Sequence, residues 1–314
     1  MSKKIHFGWR IPDFPLDDTR GQEFTNQITS ILDVIHPYFD SAWEADHFIP
    51  WAGFADRSTD TMEAWTTIAY LAGRYQTLKF GNIVLCQSYR SPALLAKMAS
   101  TLQTFTNGRL VISIGAGWKE DEYHAYGYDF PSASARLEQL EETAQILRLM
   151  WTKFEATYKG KHYHIENAIC EPKPNPVPPL MIGGGGKKKT LRIVAKHADW
   201  WNFPGGSVEN YEELLGILHN HCRDVGRDYD TIVKTWATDC VAIASTHEAA
   251  VKIAQSNALY DPATSVVGTP DEVAAHLNRF VDMGVEHFIL RFADFPDVDG
   301  AMLFANHVIP QMRS

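Results

Sequence analysis

In the stretch "FDSAWEADHFIPW", Phe39 to Trp51, an apolar, strand-like run gives way to Asp46-His47 and stops at Pro50. An imidazole can give or take a proton near neutral pH, and an adjacent carboxylate can fix its orientation or bind the polar edge of a ligand. The same pair can also act structurally, holding the turn before Pro50. The sequence leaves both readings open.

A second constellation is "LMIGGGGKKKTLRIVAKHADWWN", Leu180 to Asn202. A short apolar strand runs into Gly183, Gly184, Gly185 and Gly186 and then a helix, so backbone amides can approach a phosphate at a positive helix N-terminus. Lys187, Lys188 and Thr190 add charge and a hydroxyl. The bland alternative is a tight strand-to-helix turn, but four glycines followed by three lysines exceed what a turn needs. In "ISIGAGWKEDEYHAYGYDF" the small residues Gly115, Ala116 and Gly117 leave room for a flat ligand, while Trp118 and the following tyrosines either wall it or pack the loop onto the rim. His162 and His164 share one strand face but have no further ligand at metal spacing, so no metal is expected. There is no Gly-x-Ser-x-Gly elbow and no His-Glu-x-x-His helix.

Strand-like and helix-like patterns alternate along the chain, the signature of a parallel sheet built from βα units. Strands are expected at Ile5–Arg10, Phe39–Phe48, Leu78–Cys86, Arg109–Gly115, Leu180–Gly183, Asp199–Phe203, Thr235–Ala244 and Val285–Phe292. Between them run helical patterns such as "SPALLAKMASTLQTF" and "TPDEVAAHLNRFVDMG", with Pro92 and Pro270 at helix starts and Gly284 at a helix end. The class is therefore α/β, a single (β/α)₈ TIM barrel over residues 1–314. Residues 154–179, a hairpin and proline-rich linker, form an insertion between the fourth and fifth units. In such a barrel the C-terminal strand ends form the active face, where Asp46 and His47 fall.

The chain has 314 residues and a formal net charge of −9, which argues against nucleic acid and anionic membranes as partners. No apolar run is long enough to cross a bilayer. The four cysteines show no metal or redox spacing, which fits free thiols in a reducing compartment. The N-terminal stretch carries no secretory signal pattern, so a cytoplasmic location is expected.

Several separated motifs, "WEADHFIPW", "SYRSPALLAKMASTLQTFTNGRLVISIGAGW", "YGYDFP", "IGGGG…TLRIVAKHADWWN" and "GTPDEVAAHL", occur in an order that resembles the bacterial luciferase-like superfamily of flavin and deazaflavin oxidoreductases. That resemblance implies a tricyclic cofactor in the barrel mouth, with His47 near the reactive ring atom, Asp46 beside it and Trp51 lining the pocket. It implies a non-proline cis peptide near Asn82-Ile83 against the ring, and a phosphate tail held by Gly183 to Gly186. "DHFIPW" looks more like the branch that uses coenzyme F420 than like the FMN branch, so an F420-dependent hydride transfer is expected. An FMN-dependent monooxygenase or a non-catalytic flavin-binding barrel is the alternative. F420-dependent sugar-phosphate dehydrogenases carry a Glu where this chain has Trp118. A small, apolar or aromatic substrate is therefore expected, bounded by Trp9, Trp51, Trp118 and Phe203. The resemblance also suggests a homodimer.

Overall fold

The computed structural model describes residues 4–313. Its strands are β1 (His6–Arg10), β2 (Ser41–Glu44), β3 (Lys79–Asn82), β4 (Leu85–Cys86), β5 (Leu110–Gly115), β6 (Glu155–Lys159), β7 (His164–Ile169), β8 (Leu180–Gly183), β9 (Trp200–Pro204), β10 (Val233–Ile243), β11 (Val266–Gly268) and β12 (Val285–Phe292). The parallel order β12-β1-β2-β3-β5-β8-β9-β10 closes on itself, because β10 also pairs with β12. This is the closed 8-strand (β/α)₈ barrel. β11 extends the sheet beyond β10, and the two-residue β4 pairs with β5.

Helix boundaries follow local chemistry. Ser91 accepts the N–H of Leu94 and Pro92 opens the helix Pro92–Phe105, its missing N–H costing nothing in the first turn. Thr269 and Glu272 form a reciprocal capping box ahead of Pro270–Asp282.

Two layers of apolar packing hold the barrel. Inside it, Trp43, Val111, Met181, Ala237 and Ile289 meet as a buried plug. The Trp43 indole N–H donates to Ser41 Oγ at 2.7 Å, and that hydroxyl meets His287 Nε2 at 2.9 Å, so the polar atoms of the plug are paired. Outside it, Phe7, Phe24, Leu95, Trp151 and Phe288 belong to the larger core between strands and helices. Each such side chain contributes roughly 1.5–3 kcal/mol when fully buried. Trp9 belongs to this outer layer and is 2% exposed, which corrects its expected place in a substrate pocket. Side chains alternate along a strand, and Gly8 faces the Trp43 plug, so Trp9 must face the helices.

Residues 154–179 contain the antiparallel hairpin β6–β7. The Glu142 carboxylate, on the helix Ala133–Thr152, accepts the N–H groups of Lys161, His162 and Tyr163 and so anchors the hairpin's turn. The proline-rich stretch that follows is strapped to the helix Pro92–Phe105, where Gln103 donates to the Pro176 carbonyl at 2.8 Å. His162 meets Glu138, and no cluster able to hold a metal ion occurs among the described residues. No described helix is long and apolar enough to cross a membrane.

Candidate active site in the barrel mouth

A cleft of about 310 Å³ opens over the C-terminal ends of β2, β3, β5, β8 and β9. It brings together Asp46, His47, Ile83, Val84, Gly115, Ala116, Trp118, the glycines 183–186, Thr190 and Asn202. The imidazole and the glycine run, more than a hundred residues apart in sequence, thus share one cavity.

His47 follows β2, and its Nδ1 lies 3.0 Å from Glu122 Oε2 and 3.2 Å from Oε1. Glu122 stands on the short helix Glu120–Ala125 and is fully buried. Its carboxylate also accepts the N–H groups of Phe48 and Ile49 and the hydroxyl of Tyr89. Burial works against its charge, but the His47 bond and the two backbone N–H donors win, and its pKa falls below the ordinary value. An ionised carboxylate facing Nδ1 requires a proton there. In the neutral ring Nε2 is then the basic atom. The edge of the imidazole packs against Trp118, with ring centroids 5.6 Å apart.

Sequence reasoning missed Glu122. The signal was present in "KEDEYHAYG": three consecutive acids open a helix, and the third sits beside Tyr123 on the face that must be buried. For Asp46 the sequence left open orienting His47, binding a ligand edge or holding the turn, and the structure gives it other partners. Its two oxygens take a bidentate ion pair from Arg90 at 2.9 and 3.0 Å, and Oδ2 accepts the Cys86 N–H at 2.8 Å. Arg90 also reaches Glu63, which caps the next helix. Asp46 therefore ties the end of β2 to the β4 region. Its carboxylate thus holds the scaffold of the cleft that it lines, and among the described residues no hydrogen bond joins it to His47.

The non-proline cis peptide is Ile83–Val84, one residue later than the expected Asn82-Ile83. Asn82 is buried behind the cleft, with its amide donating to the Glu44 carbonyl, whereas Ile83 and Val84 line the cleft. Val84 fits between two strand ends that lack side chains. A Cβ on Gly115 would lie 2.7 Å from one Val84 methyl, and a Cβ on Gly183 would lie 2.8 Å from the other. Both glycines thus make room for an apolar knob in the cleft wall.

Beyond β8, Gly184 adopts φ +120°, a conformation side chains disfavour, and its N–H bonds the Asn202 carbonyl at 2.9 Å. Gly185, Gly186 and Thr190 line the cleft at the start of the helix Thr190–His197. Lys187 is turned elsewhere, a further correction: its ammonium pairs with Glu213 at 2.5 Å and is not part of the lining. Asn202 was not singled out from sequence. It is fully buried, its amide N–H₂ donates to Thr235 Oγ1 at 2.8 Å, and its Oδ1 has no protein partner. That orphaned acceptor, the glycine cradle and the Val84 knob fit a flat heterocycle with an anionic tail. Of the expected tryptophans only Trp118 lines the cleft; Trp51 packs edge-on against Phe14, with centroids 5.9 Å apart.

The family model for luciferase-like monooxygenases matches residues 38–264. An F420-dependent glucose-6-phosphate dehydrogenase of Amycolatopsis mediterranei is 23% identical over 310 residues, covering 88% of this chain and 90% of that protein. The pyrimidine monooxygenase RutA of Acinetobacter baylyi is 28% identical over 320 residues, covering 89% and 85%. Among solved structures, an F420-dependent secondary alcohol dehydrogenase in complex with an F420-acetone adduct superimposes with a TM-score of 0.83 at 21% identity, covering 99% of this chain and 100% of that one.

Proposed function

The chain belongs to the luciferase-like monooxygenase family, and on that premise we propose that it is an oxidoreductase transferring a hydride between coenzyme F420 and a small organic substrate with an apolar or aromatic body. The observation that carries this reading is the single cleft shared by the His47–Glu122 pair and the glycine loop. When bound, a deazaflavin offers a ring carbon that exchanges hydride and does not activate oxygen. The chain's own part is to bind, orient and manage the proton. Val84 supports the flat ring, while Gly184, Gly185, Gly186 and Thr190 hold the anionic tail with backbone and hydroxyl donors. Asn202 Oδ1 accepts a hydrogen bond from the heterocycle. His47 gives or takes the accompanying proton at Nε2, and Glu122 stabilises the ring when it is charged. Trp118, exposed at the rim beside His47, supplies apolar contact to the substrate.

Titration of the purified protein with F420 and with FMN, followed by fluorescence, tests the cofactor. Binding of F420 at least about tenfold tighter than FMN is expected, a difference of about 1.4 kcal/mol. Preference for FMN, with oxygen consumed by the reduced cofactor, would favour the second reading, a flavin monooxygenase. The 28% identity to a pyrimidine monooxygenase supports that alternative. We further propose a cytoplasmic homodimer, which light scattering tests for its oligomeric state.

A further inference from the structure

Thr190 lines the cleft, and the residue before it, Lys189, lines a second groove of about 150 Å³ between the helices Thr190–His197 and Ala133–Thr152. One wall of this groove is cationic: Lys189, Arg192 and Lys196 recur at helical spacing over about 10 Å. The other wall carries Glu138 and Glu141, and Leu137 and Ile193 add apolar surface. The two acids are already paired. Glu138 meets Lys161 at 2.7 Å and His162 at 3.0 Å, and Glu141 meets Lys196 at 2.7 Å and His197 at 3.2 Å. The cations are not all matched in return. Lys189 Nζ donates to Ser134 Oγ at 2.6 Å and to no carboxylate among the described residues. Arg192 is exposed and has no ion-pair partner among them. Two positive charges thus stand uncompensated next to the glycine cradle.

We propose that this groove binds the chain of γ-linked glutamates that follows the phosphate of coenzyme F420, an inference that rests on the F420 reading of the cleft. Each γ-glutamyl unit presents a carboxylate, a secondary amide and two methylenes, and the groove offers a complement to each. The carboxylates pair with Lys189 and Arg192. The amide N–H groups donate to Glu138 and Glu141, whose oxygens have lone pairs to spare beyond their cation partners. The methylenes lie on Leu137 and Ile193. A polyphosphate or a nucleic-acid strand brings anionic oxygens but no backbone N–H to the acidic wall, so it fits less well. FMN ends at its phosphate and has nothing to place here, so the groove favours F420 over FMN. Because Lys189 and Arg192 are exposed, the attraction is moderate and screened by salt.

The test is fluorescence titration of the full chain with F420 bearing its glutamate chain and with F420 trimmed back to the lactyl phosphate. The tailed form is expected to bind about tenfold tighter than the trimmed one. That gap should shrink to about twofold as salt rises from about 0.1 M to about 1 M and the Debye length falls from about 10 Å to about 3 Å. The double variant Lys189→Gln/Arg192→Gln should bind the tailed form about tenfold more weakly and the trimmed form within about twofold of the wild type. Lys252→Gln, which removes an exposed cation from the separate helix His247–Ser256, should leave both affinities in place. Equal binding of the two forms, equal weakening of both by the double variant, or an equal effect of Lys252→Gln would overturn the proposal. Should the double variant fail to fold, the wild-type comparison of the two forms and its salt dependence decide it. Tight, equal binding of both forms would refute the groove alone, whereas binding of neither would refute the F420 reading and the groove with it.

Discussion

Glu122 Oε2 lies 3.0 Å from His47 Nδ1 across 75 residues of sequence, so the carboxylate that meets the imidazole comes from the helix after β5 and not from Asp46 next door. That contact fixes the ring's tautomer, and it is also a contribution to stability. A carboxyl whose folded pKa is depressed stabilises the fold above its unfolded value and loses that contribution as pH falls through the folded one. The stability gap between the wild type and Glu122→Gln should therefore be full above pH 4.5, the ordinary Glu value, and should close below it. Nitrogen-15 NMR of His47 should show the Nδ1–H tautomer in the wild type and a mixture in Glu122→Gln. An unchanged tautomer would remove Glu122 from any positioning role.

The fit of Val84 between Gly115 and Gly183 makes a paired prediction. Gly183→Ala puts a methyl 2.8 Å from a Val84 methyl, and overpacking of this kind costs about 1–3 kcal/mol. Val84→Ala in the same chain should recover most of that stability in urea unfolding, giving a clear coupling in a double-mutant cycle. Additive effects would mean that the two side chains do not contact. Either variant should also weaken cofactor binding, because both alter the same wall of the cleft.

Asp46 is expected to matter for folding. Its side chain is 1% exposed and that of Arg90 is 10%, so deleting the acid leaves a largely buried guanidinium with Glu63 as its remaining carboxylate partner. Asp46→Ala should lose about 3–5 kcal/mol in denaturant unfolding. A loss below about 1 kcal/mol would put the pair in the class of surface ion pairs. Asp46→Asn should fall between, since the amide oxygen can still accept the Cys86 N–H.

How far the sequence carried this picture depended on whether the signal was local. Strand and helix positions came through because alternation and helical spacing are properties of short windows, and Pro92 and Thr269-Pro270 mark their own helices. The glycine run was visible for the same reason. What stayed hidden is what the closed barrel alone decides. Which carboxylate reaches His47 depends on a helix 75 residues away. Whether Trp9 faces the mouth or the helices depends on strand phase, and one step of phase exchanges the two faces. Lys187 was misread because its partner, Glu213, sits on a later helix. Glu44 carries no local mark of its buried setting, since the charges that act on it, Arg10 and Asp13 at and after the end of β1 and Arg291 on β12, come from two other segments.

His287 offers the sharpest pH test of the barrel interior. It is buried beside Trp43 and meets Ser41 Oγ at 2.9 Å. Burial, with His6 and Lys79 outweighing Asp40, pulls its pKa down to about 3 from 6.5. Above pH 6.5 neither the folded nor the unfolded chain protonates it; between 6.5 and about 3 only the unfolded chain does. Stability from this residue is thus complete at neutral pH and declines on acidification, with a slope of about 1.4 kcal/mol per pH unit across that window. Glutamine, which never takes the proton, should remove that slope. Urea unfolding of the wild type and His287→Gln at a series of pH values should give curves that converge or cross as pH falls from 6.5. Parallel curves would show that the imidazole is not the group whose protonation drives acid unfolding.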